Sequence, residues 1–456
     1  MATTIRGDRT GRTADRLDGT IGDAILIGGF ENDTYVVDSS NDKIVESSGS
    51  GIETVEAYVS WDLRISYDIN DPSFMRLNDP SQAGLDNLTL MGAANINGTG
   101  NTLPNLIKGN SGHNRLDGRE GADTLMGGLG NDTYVVDNLG DQIVDTAGTG
   151  FERVESSVSW TLGVGLEDLT LTGTATIDGT GNDLANSITG NEARNLLKGN
   201  AGDDVLRGNG GNDELRGDAG NDYLDGGTGE DLLIGGTGGT IYVIDSPNDQ
   251  INDTGDDAGV ASEDLVLASI SFTLSPEINH LTFRGSDSLT GTGNSLANRI
   301  TGNSGANLLS GLGGEDTLRG GAGADQLVGG GGNDVLNGGA GPDQFIFNAS
   351  NEGIDTIQDF ALGEDLLVVS KAGFTVDSNV IVKAGNPSFR LTAGQALRDN
   401  QFHVGTEAET RSQFFLYSSG VLSFDADGSG TSFQPVQIAK LANSPVLTAA
   451  QIFVTT

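Results

Sequence analysis

A nine-residue repeat recurs in four stretches of this chain and restricts what the chain can fold into. Residues 190–243 hold six consecutive nonads, residues 302–346 hold five, residues 109–135 hold three, and residues 10–36 hold three degenerate ones. The consensus of these seventeen nonads is G-G-x-G-x-D-x-L-x. A chain with a fixed short period folds as stacked similar units, in which each unit buries its apolar side chains against its neighbours.

Each position of the nonad predicts a local role. Glycines at positions 1, 2 and 4 permit positive φ angles and a tight turn whose carbonyl groups are accessible. The aliphatic residue at position 8 belongs on a short strand and points inward, while position 6 adds a carboxylate. Successive nonads would form alternate sides of a flattened coil, with about eighteen residues per turn. The sequence therefore predicts an all-β fold: a parallel β-roll or β-solenoid.

Carbonyl and carboxylate oxygens of stacked turns would form cages suited to a hard cation. Ca²⁺ takes about six to eight oxygen ligands with tolerant geometry, whereas Mg²⁺ demands a smaller octahedral shell and keeps its water. We therefore expect several bound calcium ions. Position 6 is aspartate in twelve nonads, and these are the predicted metal ligands: Asp15, Asp33, Asp123, Asp132, Asp204, Asp213, Asp222, Asp231, Asp316, Asp325, Asp334 and Asp343.

Some nonads depart from the consensus at position 6. The three clear runs each begin with asparagine there, at Asn114, Asn195 and Asn307. Our hypothesis is that an end turn, with a neighbour on one side only, holds half a site, so that an Asn195→Asp change should alter calcium stoichiometry or affinity. In the degenerate first run, Ala24 occupies position 6 and Glu31 replaces the glycine of position 4.

Related modules separate the runs, and the tail differs from both. The modules alternate Val, Ile, Leu and Thr with polar residues, which predicts short strands. Eleven of the sixteen phenylalanines lie after residue 343. The predicted domains are a degenerate run (1–36), a β module (37–108), a run (109–135), a β module (136–189), a run (190–243), a β module (244–301), a run (302–346) and a small β-rich C-terminal cap (347–456).

The net charge of −40 restricts the partners of the chain. Such a surplus of carboxylates repels nucleic acid and anionic membrane surfaces, and it disfavours a compact state unless cations screen it. The sequence also lacks the apolar stretch of a Sec export peptide and any run of membrane length. We therefore expect calcium as a partner, no nucleic acid and no membrane insertion.

The repeats and the tail resemble those of RTX (repeats-in-toxin, haemolysin-type) exoproteins of bacteria. The nonads carry the resemblance most specifically, and the tail adds GPDQFIFN, IDTIQDFALGEDLLVV and AAQIFVTT. The resemblance implies an uncleaved C-terminal signal for type I secretion, a type I secretion machinery as partner and an extracellular destination. We expect an unfolded chain in the calcium-poor cytosol that folds in millimolar calcium outside.

The function expected from the sequence is structural or adhesive rather than enzymatic. Neither HExxH nor G-x-S-x-G occurs, and the repeats begin within the first dozen residues, which leaves no room upstream for a catalytic domain. We expect a secreted component of a cell surface, matrix or filament, with possible self-association or attachment to a polysaccharide matrix. Two alternatives remain open: an exoenzyme that acts on polysaccharide from a β-helix, and a calcium-binding secretion carrier without a partner.

Overall fold

The structure, a computed structural model, consists of β-strands and turns. It divides into two compact units, residues 1–238 and residues 239–456. Within its described residues, no helix is both long and apolar enough to cross a membrane. The described residues are 2–7, 14–20, 22–29, 31–45, 51–64, 84–145, 150–253, 263–374, 393–428 and 433–455.

The strands of the first unit are two to six residues long. They are β1 (Thr3–Arg6), β2 (Arg16–Asp18), β3 (Ala24–Ile27), β4 (Thr34–Val37), β5 (Lys43–Val45), β6 (Glu53–Ala57), β7 (Trp61–Asp62), β8 (Leu85–Leu90), β9 (Gly98–Thr99), β10 (Leu106–Lys108), β11 (Arg115–Asp117), β12 (Thr124–Met126), β13 (Thr133–Val136), β14 (Gln142–Ile143), β15 (Arg153–Ser156), β16 (Trp160–Thr161), β17 (Asp168–Leu171), β18 (Gly179–Thr180), β19 (Ser187–Thr189), β20 (Leu196–Ala201), β21 (Val205–Arg207), β22 (Glu214–Ala219), β23 (Tyr223–Asp225) and β24 (Leu232–Thr237).

Parallel pairing in this unit skips one strand at each step. β20 pairs with β22 and β22 with β24, while β19 pairs with β21 and β21 with β23. Consecutive strands therefore belong to two different sheets, as in a flattened coil. The register joins Leu197 to Leu215 and Leu215 to Leu233, a step of eighteen residues. The modules follow the same rule, because β13 pairs with β15 and β15 with β17.

The strands of the second unit are two to eight residues long. They are β25 (Ile241–Ile244), β26 (Gln250–Asn252), β27 (Leu265–Ala268), β28 (Phe272–Thr273), β29 (His280–Phe283), β30 (Thr290–Thr292), β31 (Arg299–Thr301), β32 (Leu308–Gly313), β33 (Thr317–Ala322), β34 (Gln326–Gly331), β35 (Val335–Ala340), β36 (Gln344–Ala349), β37 (Asp355–Ile357), β38 (Leu366–Gly373), β39 (Gln395–Ala396), β40 (Phe402–Val404), β41 (Phe415–Ser418), β42 (Val421–Phe424), β43 (Val436–Leu441) and β44 (Ile452–Thr455), with short 3₁₀ segments at Asp399–Gln401 and Ala449–Gln451.

The second unit repeats the alternation and then changes character. β32, β34, β36 and β38 pair in parallel in one sheet, as do β31, β33, β35 and β37 in the other. Parallel coiling thus continues past residue 347 through β37 and β38. The remaining strands include antiparallel pairs: β41 with β42, β42 with β43, and β39 with β44.

Position 8 of the nonads supplies the core. Leu197, Leu215 and Leu233 are fully buried in one sheet. The aromatic residues at position 8 of the last nonad in each run, Tyr35, Tyr134, Tyr242 and Phe345, are also fully buried. The structure therefore confirms the predicted all-β fold, in which each coil covers the apolar side chains of the next.

Candidate metal sites

Position 6 of each nonad lies at the end of a turn, one residue before a strand. Buried leucines at position 8 fix that strand, so the side chain two residues earlier is held against the turn. Eleven of the twelve predicted ligands are no more than 2 % exposed, and Asp15 is half-buried. These carboxylates therefore do not form a solvated acidic face.

In eleven of the twelve predicted ligands, one carboxylate oxygen joins consecutive coils. The Oδ1 atom of Asp204 accepts the Asn186 N–H at 2.7 Å, and Oδ1 of Asp222 accepts the Asp204 N–H at 2.9 Å. In the second unit, Oδ1 of Asp334 accepts the Asp316 N–H at 2.7 Å. The donor precedes the acceptor by eighteen residues, so aspartates eighteen apart form one column, and those nine apart lie in different columns.

In eight of these aspartates the second carboxylate oxygen has no hydrogen-bond donor. Among the described residues, Oδ2 is buried without a hydrogen-bond partner in Asp123, Asp132, Asp204, Asp213, Asp222, Asp316, Asp325 and Asp343. A buried carboxylate oxygen without a donor is costly, because it has lost its hydrogen bonds to water and has formed none within the protein. Each of these atoms therefore needs a positively charged or proton-donating neighbour.

The position 1 glycine makes the space into which Oδ2 points. A β-carbon on Gly199 would overlap Oδ2 of Asp204 and would lie 2.8 Å from the carbonyl oxygen of Gly217, one coil further on. A β-carbon on Gly217 would meet Asp222 and Gly235 in the same way. A carboxylate oxygen and a carbonyl oxygen thus converge on one small space with no proton between them.

In every nonad whose aspartate Oδ2 atom faces the position 1 glycine, position 2 has a left-handed backbone. Its φ angle is 79° at Asn200, 74° at Asn209, 71° at Asp218 and 73° at Leu312. This conformation is disfavoured for residues with a side chain, so these turns carry local strain that the stacked structure stabilises. We call the nonads with this backbone and an Oδ2 atom facing the position 1 glycine the aspartate turns; their acids are Asp123, Asp132, Asp204, Asp213, Asp222, Asp231, Asp316, Asp325, Asp334 and Asp343.

The electrostatics of these turns favour a bound cation. Burial raises the pKa of Asp204 to about 7, with the nearby acid Asp222 as a smaller cause. Burial also raises the pKa of Asp213 to about 6 and that of Asp316 to about 7. A raised pKa means that the ionised carboxylate is destabilised where it stands. A divalent cation beside Oδ2 would remove that destabilisation.

The donor set fits calcium. Among the residues that the structure describes, no group of three or more His, Cys, Asp or Glu side chains is close enough to hold a metal. The oxygens available in an aspartate turn are therefore a carboxylate and glycine carbonyls, with neither imidazole nor thiolate. All-oxygen sets with several carbonyls suit Ca²⁺, whereas softer metals prefer nitrogen and sulfur.

The first run differs from the other three. Oδ1 of Asp33 accepts the Asp15 N–H at 2.9 Å, and Oδ2 accepts the Gly29 N–H at 2.9 Å. Both oxygens of Asp33 thus already have backbone donors. Residues 10–13, 21 and 30 of this run lie outside the described residues. The run whose sequence departs most from the consensus is therefore also the one without an aspartate-turn geometry at Asp33.

Further aspartates outside the nonads occupy the same column positions, and four of them lie beside Ala24 or an aspartate of a run. Oδ1 of Asp42, Asp141, Asp355 and Asp365 accepts the N–H of Ala24, Asp123, Asp334 and Asp343, respectively. Sequence reasoning missed them because none lies in a complete nonad: no glycine stands five residues before any of these four, at position 1. The signal that could have found them is an aspartate two residues before an aliphatic side chain, as at positions 6 and 8 of a nonad. Oδ2 of Asp365 differs from an aspartate turn, because it accepts the Ala361 N–H at 2.7 Å.

Comparison with known proteins agrees with this geometry. A family model described as RTX calcium-binding nonapeptide repeat, four copies, matches residues 9–44, 99–134, 180–215, 207–241, 292–327 and 310–345. No curated protein matches the chain. Among solved structures, the chain is similar to the extracellular lipase LipA from Serratia marcescens, with 16 % identity and a TM-score of 0.23 over 62 % of this chain and 40 % of the lipase. The match therefore spans less than half of the lipase's length.

The fold and the stacked turns define the class first: a parallel β-solenoid whose coils are joined by buried aspartates. The family match then makes the assignment specific. The chain carries RTX calcium-binding nonapeptide repeats, as its sequence predicts.

Proposed function

We propose that this chain is a secreted β-roll protein that folds on binding several calcium ions and acts as a structural or adhesive component of a cell surface, matrix or filament. The proposal includes no catalytic activity. Its calcium ligands are the ten acids of the aspartate turns together with the carbonyl oxygens of the glycines stacked against them. The repeats support calcium binding, and the secreted character of the proposal follows from the resemblance to RTX exoproteins.

One observation carries the calcium part of the proposal. In successive coils, a buried Oδ2 atom without a hydrogen-bond donor faces the carbonyl oxygen of a stacked glycine, as for Asp204 and Gly217. Two acceptors held together in this way repel one another unless a cation lies beside them. Calcium supplies that charge when it is bound. Folding and calcium binding are therefore expected to be coupled.

The proposed location follows from the concentrations at which such sites work. Extracellular calcium modules bind with dissociation constants of about 10⁻⁴ to 10⁻³ M, far above cytosolic free calcium. With a net charge of −40, a calcium-free chain would be expanded by repulsion between its carboxylates. The chain would then leave the cell unfolded and fold outside, which suits export through a type I secretion machinery.

A calcium titration followed by circular dichroism and light scattering tests the proposal. We expect the β signal to rise between micromolar and millimolar calcium, and larger assemblies to appear once folding is complete. The same titration with magnesium serves as the control and should leave the β signal nearly unchanged. A chain that is fully folded in chelator would contradict calcium-dependent folding.

The scattering signal and an activity screen separate the functional classes. Folding into a monomer at every calcium concentration would favour a calcium-binding carrier over a structural component. Release of products from uronate polymers or other polysaccharides would favour the exoenzyme. Assembly visible by electron microscopy in calcium, reversed by chelator, is the outcome that the structural proposal requires.

A further inference from the structure

A second kind of turn lies at the start of each clear run. It has the motif G-N-x-x-x-N, with asparagine at positions 2 and 6 of the nonad period, and it occurs twice in succession before the aspartate turns begin. We call these the asparagine turns. Their residue pairs are Asn101 and Asn105, Asn110 and Asn114, Asn182 and Asn186, Asn191 and Asn195, Asn294 and Asn298, and Asn303 and Asn307.

The turn at Asn191 and Asn195 shows how the motif is satisfied. The Asn191 N–H donates to Oδ1 of Asn195 at 2.9 Å, and Nδ2 of Asn195 donates to the Ile177 carbonyl at 2.6 Å. Nδ2 of Asn191 donates to the Ala175 carbonyl at 2.9 Å, and its Oδ1 accepts the Ala193 N–H at 2.9 Å. Both amide oxygens thus have a backbone donor, and both amide nitrogens donate to the preceding coil.

Most of these bonds recur in the other five asparagine turns. In all six, the position 2 N–H donates to the position 6 Oδ1 at 2.7–2.9 Å. In all six, Nδ2 of the position 2 asparagine donates to a carbonyl of the preceding coil. The position 6 Nδ2 also donates to a carbonyl in five turns, and Asn307 donates instead to Oδ1 of Asn303.

The aspartate turns differ at the same atoms. In the column that runs from Asn186 through Asp204 to Asp222, Asn186 directs its amide N–H groups at the Leu166 and Glu167 carbonyls of the coil before it. Asp204, one coil later, has no such donor, and its Oδ2 atom is buried without a partner. At the position 1 glycine, Oδ1 of Asn195 accepts the Asn191 N–H, whereas Oδ2 of Asp204 has no partner. An asparagine turn therefore supplies internally, from its position 2 backbone N–H, the positive partner that an aspartate turn takes from a cation.

We propose that the six asparagine turns are calcium-independent caps, which keep the junction between module and run folded when calcium is absent and from which the calcium-dependent run folds. This inference rests on the proposed binding of calcium by the aspartate turns. An asparagine turn contains no buried charge, so chelation removes nothing from it. At low calcium the chain would hold folded junctions joined by unfolded runs, and each run would then add coils onto a preformed end.

Hydrogen exchange of the full chain, read by mass spectrometry in calcium and in chelator, tests this directly. We expect peptides from residues 199–238 and 311–346 to exchange at least a hundredfold faster in chelator. Peptides from residues 175–198 and 287–310 should change less than tenfold. If all four regions lose protection together, the caps are refuted while calcium-dependent folding stands. If none of them changes, calcium-dependent folding is refuted, and the caps with it.

A reciprocal pair of variants in one column sharpens the test. Asn195→Asp places a carboxylate oxygen against the Ile177 carbonyl, so peptides from residues 175–198 should lose protection at least tenfold in chelator and regain it in calcium. Asp213→Asn, the matched control one coil later, should lower the calcium stoichiometry and leave the exchange of residues 175–198 in chelator unchanged. Equal loss for Asn195→Asp with and without calcium, or no loss at all, would overturn the proposal.

Discussion

At the scale of single residues, the two oxygens of an aspartate-turn acid have separate functions. Oδ1 of Asp213 accepts the Asn195 N–H at 2.7 Å and so joins coils without any metal. Oδ2 of the same side chain is buried without a partner beside the position 1 glycine Gly208. One aspartate therefore contributes to the stacking of the solenoid and, through its other oxygen, to a candidate calcium site.

The position 1 glycine gives the first prediction. A β-carbon on Gly311 would overlap Oδ2 of Asp316 and lie 2.6 Å from the Gly329 carbonyl, whereas one on Gly313 would meet only the Gly331 carbonyl at 3.8 Å. Gly311→Ala should lower calcium stoichiometry and cost roughly 1–3 kcal/mol of folding free energy in calcium. Gly313→Ala, the control in the same nonad, should change stability by less than about 0.5 kcal/mol. Isothermal titration measures the calcium stoichiometry and urea unfolding measures the folding free energy. Equal effects of the two substitutions would count against a calcium site beside the position 1 glycine.

Protonation gives the second prediction. Because burial raises the pKa of Asp204 and Asp316 to about 7, the folded state binds protons more tightly than the unfolded chain does, whose aspartates titrate near 3.8. This contribution to stability is fully present below about pH 4 and is lost as the pH rises through about 7. In chelator, the β signal should therefore be larger at pH 5 than at pH 8. The Asp204→Asn chain should show a smaller difference, and a larger β signal at pH 8 would contradict the assignment.

At the scale of elements, the backbone N–H groups at the end of the last run donate to a side chain rather than to the carbonyl of another repeat. Within the runs, a position 1 N–H donates to a carbonyl of the next coil, as Gly302 does to Arg319 at 2.7 Å. At the end of β35, the N–H groups of Gly338 and Gly339 instead donate to the carboxylate of Asp359, at 3.0 and 2.7 Å. Asp359 thus satisfies two backbone N–H groups at the end of the run without a metal.

The third prediction concerns this closing residue. Asp359→Ala removes the acceptor of two backbone N–H groups, a change that costs roughly 1–3 kcal/mol and so speeds local exchange about ten- to hundredfold. Hydrogen exchange of peptides from β35 in saturating calcium measures it. Glu364→Ala, an exposed acid in the same loop, is the control and should leave β35 unchanged. Unchanged exchange in Asp359→Ala would show that the edge is held by other contacts.

Much of the coil could be predicted from sequence because its period is visible in the residues. Leucine at position 8 predicts the buried column that contains Leu215, and glycine at position 1 predicts a close approach such as that of Gly217. The column positions of Asp141 and Asp355 could not be predicted, because those residues lack the position 1 glycine of a nonad and reach their places through tertiary stacking. The asparagine turns begin runs, but the sequence does not reveal that their amides donate to the preceding coil. This arrangement favours a calcium-free cap over the half site hypothesised from the sequence.

At the scale of the whole molecule, charge and repetition together determine the conditions for folding. The net charge of −40 comes from 64 acidic and 24 basic side chains, and many of the acids are buried in the stacked turns. A compact calcium-free chain would therefore carry both long-range repulsion and local carboxylate burial. Monovalent salt can screen the long-range repulsion, but it cannot offset the cost of burying the carboxylates.

This distinction gives the fourth prediction. In chelator, raising the salt from about 0.05 to 0.5 M shortens the Debye length to a few ångströms, so the hydrodynamic radius should fall. The β signal should not reach the level found in millimolar calcium, because no cation is coordinated between the coils. Dynamic light scattering and circular dichroism on the same samples measure the two effects. Full recovery of β structure by sodium chloride alone would mean that screening is sufficient.

The most direct test of the central claim is an anomalous difference map from crystals of the full chain grown in millimolar calcium. We predict density for calcium between stacked coils, beside Oδ2 of Asp204, Asp213, Asp316 and Asp325 and within coordination distance of the facing glycine carbonyls. No such density is predicted at Asn195 or Asn307. Ordered carboxylates in the same positions with water or nothing beside them, or side chains turned out to solvent, would contradict the account.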